Sequence, residues 1–147
     1  MTRTKFAAVL RGVLVIVAFQ SGCGAFALAD PIGLWLAKDG AHVTISPCGD
    51  ELCGVIASAP SATDPATGAP WTDKHNDNSA LRSRPLVGVP VLIGMQPKGD
   101  GRWSGHLYNT KDGKTYFGNL IEIDANTVRV EGCVLLVCGG DNMTRIK

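Results

Sequence analysis

Turn signals cut this chain into short runs, and beyond residue 29 little of it repeats its apolar residues at helical spacing. A chain so divided has few folds open to it, because each strand must bury its apolar face against other strands. Residues 32–36 are an apolar run that Lys38-Asp39-Gly40 turns, and residues 42–46 alternate polar with apolar at the period of a half-buried strand. Pro47-Cys48-Gly49-Asp50 marks a turn, and residues 52–57 read as the returning strand. The polar stretch 58–79, with Pro60, Pro65, Gly68 and Pro70, suits neither strand nor helix and is expected to be an irregular loop. Strands resume over 85–95, where Gly88 and Pro90 suggest a bend or an edge, and over 102–108, where Trp103, Gly105 and Leu107 share a face. Asp112-Gly113 is a hairpin signal, and residues 115–123, 127–132, 134–137 and 143–146 bring the count to about nine. The expected fold is all-β: a small antiparallel barrel of about 8–9 short strands. A barrel is preferred to a sandwich because closure removes exposed strand edges.

The first 29 residues stand apart. Arg3, Lys5 and Arg11 precede the apolar run 13–19, and Ala27-Leu28-Ala29 fits the small-residue site that a signal peptidase cuts. The apolar run falls short of the roughly 20 residues that a permanent transmembrane helix needs. Residues 1–29 are therefore expected to be a cleaved signal peptide, residues 30–147 a single domain, and the protein periplasmic or secreted. Ser21-Gly22-Cys23 offers a second outcome, a lipid anchor on Cys23, although Gln20 stands where a lipoprotein box usually has an apolar residue.

The remaining 118 residues suffice for one core. They carry 11 basic and 13 acidic side chains, a formal charge of −2, without the clustered positive charge that nucleic acid requires. Four cysteines remain, Cys48, Cys53, Cys133 and Cys138, in two Cys-x4-Cys segments. In an oxidising compartment an even set reads as disulfides. The rival is a structural zinc site, against which stand the compartment and the apolar Val134-Leu135-Leu136-Val137 inside one pair. Local bridges, Cys48–Cys53 and Cys133–Cys138, are favoured because Gly-Asp-Glu-Leu suits a four-residue hairpin loop. A crossed pairing remains open.

The segments Gly33-Leu34-Trp35, Pro47-Cys48-Gly49-Asp50-Glu51-Leu52-Cys53-Gly54 and Leu81-Arg82-Ser83-Arg84-Pro85-Leu86 occur in that order. Trp103-Ser104-Gly105, Tyr108, Asp112-Gly113-Lys114-Thr115-Tyr116 and Val128-Arg129-Val130-Glu131-Gly132-Cys133 follow. Together they resemble an exported bacterial family catalogued as domain of unknown function 2147. The resemblance implies a lipocalin-like β-barrel and residence in the cell envelope. It supplies no activity and so no catalytic residue. One departure is that in the family an aromatic commonly sits near the closing Thr-Arg, whereas here Met143 precedes Thr144-Arg145.

Chemistry is sparse. The G-x-S-x-G elbow of a serine nucleophile is missing, and cysteines held in disulfides have no free thiolate. Most aspartates fall in turns, where they are turn formers. His42, His75 and His106 have no ligand-like spacing. Asp73-Lys74-His75-Asn76-Asp77-Asn78 resembles a calcium loop only in part, because it lacks the glycine and the closing glutamate. No catalytic residue, metal site or cofactor is expected. Two features suit ligand binding. Arg82 and Arg84 have the fork geometry for a carboxylate or phosphate, or else they pair with Asp73, Asp77 or the barrel rim and hold the long loop in place. Trp35, Trp103, Tyr108 and Tyr116, with Trp71, line a pocket or simply form the core. The expected function is non-catalytic binding of a small, largely apolar or anionic ligand in the envelope. The alternative is a structural or protein-interaction module with a side-chain-filled barrel.

Overall fold

A computed structural model describes residues 30–146. The expected signal peptide and Cys23 lie outside the described residues. The chain forms eight antiparallel strands, each paired with its neighbours in sequence and the last with the first, in a closed barrel. They are β1 (Gly33–Leu36), β2 (His42–Cys48), β3 (Glu51–Ser58), β4 (Pro90–Gly99), β5 (Arg102–Asn109), β6 (Lys114–Asp124), β7 (Thr127–Val134) and β8 (Val137–Arg145). Closure is made by the short β1, which pairs with the end of β8 through Trp35–Arg145 and Leu36–Thr144, and so pairs the last of the strand edges in part.

The ninth expected strand, 134–137, is instead the tip of the β7–β8 hairpin: Val134 pairs with Val137 across a two-residue turn. Its apolar run looked like a buried strand because composition says nothing of exposure. The strand expected from Pro85 starts at Pro90, since residues 85–89 belong to the long loop. That loop runs from 59 to 89 and holds only a 3-10 turn, Ser79–Leu81, and one bridge between Thr72 and Pro85.

Both local disulfides are present, Cys48–Cys53 and Cys133–Cys138. The first does not close the four-residue loop that its spacing suggested. The turn is Gly49-Asp50 alone, with Cys48 opposite Glu51 and Ser46 opposite Cys53. In the second, Cys133 and Cys138 face each other directly. Each closes a short loop, worth roughly 2 kcal/mol on the chain-entropy model.

Strand alternation sends one set of side chains inward. Trp35, Ile45, Met95, Leu120 and Val128 are fully buried and close one end of the barrel. Here the chain enters β1, β2 turns into β3, and Arg145 ends β8. A smaller cluster of Ile56, Leu86 and Val89, joined by Trp71 and Tyr108, packs the long loop beside the other end. A bulge at Gly94 presses the β4 backbone against β5, so that a Cβ at Gly105 would stand 2.5 Å from the Gly94 carbonyl oxygen. Only glycine fits there.

Candidate ligand cavity

The closed end is filled, but the half of the barrel nearer the long loop is not. An open cavity of about 580 Å³ lies there, a size typical of small-molecule sites. Its walls are the inward residues of the strands: Val43 of β2, Ile56 of β3, Leu92 of β4, Leu107 of β5, Val130 of β7 and Met143 of β8. Part of the β7–β8 wall has no side chains. Gly132 and Gly139 pair across β7 and β8 and both border the cavity, and a Cβ at Gly139 would meet nothing within 4 Å. Gly139 leaves open space where the alternation would set an inward side chain, while a Cβ at Gly132 would already touch Tyr116.

The rim is polar. Lys38, in the β1–β2 loop, donates to Asp141 Oδ1 at 2.8 Å, and Lys111 lies 3.4 Å from Asp39. The Asp141 carboxyl is held below its ordinary range by the hydrogen bond from Lys38, and the same bond raises the Lys38 ammonium. Tyr116 faces inward opposite Leu107, and its hydroxyl donates to Asp112 Oδ2 at 2.6 Å. That bond, with some burial, raises the Tyr116 phenol above its usual value.

The predicted binding residues divide into three groups. Tyr108 and Tyr116 border the cavity. Trp35 and Trp103 do not: register sets both at the closed end. Trp35 is sealed in the core, and its indole Nε1 donates to the Pro31 carbonyl at 2.8 Å. Trp103 flanks a smaller cleft of about 270 Å³ with Pro31 and Pro97. Arg82 and Arg84 stay within the long loop. Arg82 Nε donates to the Asn76 carbonyl at 2.7 Å, and Arg84 grips Asp73 Oδ2 through Nε at 3.0 Å and Nη2 at 2.7 Å.

Asp73 is the hub that fastens this loop to the barrel. It is fully buried and also accepts from Asn76 Nδ2 at 2.7 Å and from the Tyr108 hydroxyl at 2.6 Å. Burial, helped by the bond to Asp73, pushes the Tyr108 phenol up to about 12. Lys74 bonds Asp64 and lies over the Trp71 ring, and Asp77 N–H reaches the Gly113 carbonyl at 3.4 Å. The loop passes so close to the β5–β6 turn that a Cβ at Gly113 would collide with the His75 carbonyl oxygen. The segment that resembled a calcium loop thus spends its polar groups on anchoring itself.

Sequence reasoning missed Lys38 and Asp141, which meet across 103 residues of chain, and the Gly132–Gly139 wall. The β1–β2 loop folding beside β8 makes the first pair, and hairpin register makes the second. Met143, singled out only as a departure from a family pattern, is nine-tenths buried and borders the cavity.

The barrel is similar to the solved structure of protein HP1028 from the human pathogen Helicobacter pylori, described as belonging to the lipocalin family. The TM-score is 0.66 at 20% identity, over 81% of this chain and 84% of that one. At that identity the likeness speaks for the fold alone, a lipocalin-like barrel. Among curated proteins none matches the chain. A family model described as an uncharacterised protein conserved in bacteria matches residues 33–145, which takes in all eight strands. By its sequence and its barrel, the chain belongs to that bacterial family, domain of unknown function 2147.

Proposed function

We propose that this protein is a non-catalytic binding domain that holds one small, largely apolar ligand in the open half of its barrel. The observation that carries this reading is the cavity of about 580 Å³, walled by Val43, Leu92, Leu107 and Met143 and left empty of side chains at Gly132 and Gly139. An apolar ligand body gains by leaving water for such walls. A polar or charged end would stay at the rim, near Tyr116 and the Lys38–Asp141 pair. Arg82 and Arg84 serve the loop in this reading, since their guanidinium groups are already engaged by Asp73 and Asn76.

Export to the periplasm or beyond belongs to the same proposal, with residues 1–29 as the signal, residues 30–147 as the working domain, and lipidation of Cys23 as the other possible end of processing. Two disulfides in a bacterial domain fit a compartment outside the cytoplasm.

The test is titration with a fluorescent fatty acid against the parent protein and Gly139→Leu. This substitution puts an apolar side chain into the cavity at a position with open space. Saturable one-to-one binding by the parent, weakened about tenfold or more in the variant, is expected. Native mass spectrometry of protein taken from a periplasm, before and after mild unfolding, would identify a resident ligand by its released mass. Equal binding by parent and variant would remove the cavity from the account. A parent that binds no probe and carries no released mass would favour a protein-interaction module.

A further inference from the structure

The β7–β8 hairpin ends in Val134-Leu135-Leu136-Val137, with Leu135 95% and Leu136 99% exposed. The first central residue of a two-residue hairpin turn takes positive φ, which is why Gly, Asn or Asp normally stands there. In this turn it is Leu135, at φ 54°. A bulky residue in that conformation is strained, and so exposed a side chain gains almost no packing to offset the strain. Directly behind the tip, Cys133 and Cys138 face each other and are bonded, which fixes the projection to the barrel. Folding stability accounts for neither leucine.

We propose that this tip is a membrane-surface anchor, with Leu135 and Leu136 entering the interfacial layer of a phospholipid bilayer and holding the cavity mouth against it. Three observations favour a bilayer over a protein partner. The apolar surface is a narrow convex tip, whereas a standard protein interface buries about 800 Å² per partner across a matched face. The strands on either side of the turn are paired with each other through Val134–Val137 and Cys133–Cys138, so the backbone groups between them keep their partners when the tip enters an apolar medium. Val134 itself lines the cavity, so the tip continues the cavity wall and an anchored tip brings the mouth to the lipid.

The rim cations do not supply the attraction. Lys38 is matched by Asp141, and Lys111 by Asp39. Binding is therefore expected to follow apolar burial, with similar strength on zwitterionic and anionic vesicles and little loss at high salt. The anchor does not require the cavity to be occupied.

The experiment is co-flotation of the purified protein with phosphatidylcholine vesicles and with phosphatidylethanolamine–phosphatidylglycerol vesicles, at low and high salt. Its key variant is L135G/L136S, because Gly-Ser suits this turn. The parent is expected to float with both vesicle types. The variant should melt at or above the parent's temperature and partition about tenfold less or weaker. Gly139→Leu, with its tip intact, should float like the parent, which separates this inference from the ligand reading. A parent that stays in solution with every vesicle overturns the proposal, and so does a variant that floats as well as the parent. A dimer seen by ultracentrifugation and abolished in L135G/L136S would also overturn it, by assigning the tip to a second copy of the chain.

Discussion

Arg145, the last residue of β8, lays its guanidinium over the Trp35 indole at 4.3 Å from the ring centre. Its nitrogens donate to three backbone carbonyls: Nε to Ala125 at 2.7 Å, Nη1 to Ile32 at 2.9 Å and Nη2 to Asp30 at 2.6 Å. Trp35 fixes the same segment through Pro31. The pair ties the chain's entry into β1 across the closed end of the barrel, and so makes one end a floor and leaves the other as the mouth.

Arg145→Ala should therefore cost about 2–4 kcal/mol, from lost charged hydrogen bonds and the cation–π contact. Arg145→Lys should recover less than half of that, because an ammonium cannot fork to three carbonyls. Urea denaturation of the three proteins measures both. A lysine variant as stable as the parent would show that charge alone matters there.

Asp73 is the side-chain hub of the long loop. Asp73→Ala removes the acceptor shared by Arg84, Asn76 and Tyr108, and should destabilise by about 2–4 kcal/mol. Cleavage by a protease within residues 59–89 should quicken before the barrel itself is cut, because what then holds the loop is the small Ile56, Leu86 and Val89 cluster and a few backbone bonds to Ile56 and Gly113. Loss of loop and barrel together would mean that they fold as one unit.

Tyr108 gives a pH signature. The chain has two tyrosines, so Tyr116→Phe leaves Tyr108 as the only one. Its phenolate absorbance should rise with a midpoint near pH 12, against about 10 for a free tyrosine. A phenol whose folded value is raised holds its proton more tightly in the native state. Its stabilisation is therefore complete below about pH 10 and is lost as pH climbs towards 12. A midpoint near 10 in a protein still folded by circular dichroism would contradict the buried bond to Asp73.

Met143 occupies the cavity wall. Met143→Phe should change stability by less than about 1.5 kcal/mol, since open space lies beside it. It should also shift probe preference towards shorter chains. Affinities for a series of fatty-acid probes of increasing length test this, and an unchanged order of preference would take Met143 out of the ligand's path.

The class of fold was legible in local patterns, and the local disulfides were favoured there over a crossed pairing that the structure then excludes. Period-two alternation and turn residues are local, so residues 42–46 and 102–108 were legible as strands and Asp112-Gly113 as a turn. Short Cys-x4-Cys spacing likewise made the local disulfides readable. Everything that depends on register needed the folded barrel. Alternation states that two residues share a face, but not which end of the barrel they reach, and so Trp35 and Trp103 were grouped with Tyr108 and Tyr116 although floor and mouth separate them. Composition could not tell the exposed 134–137 tip from a buried strand, because apolar residues look alike until their neighbours are known. The Lys38–Asp141 pair and the bare Gly132–Gly139 wall arise only when β8 closes against β1 and β7. Closure turned scattered residues into a cavity with a rim.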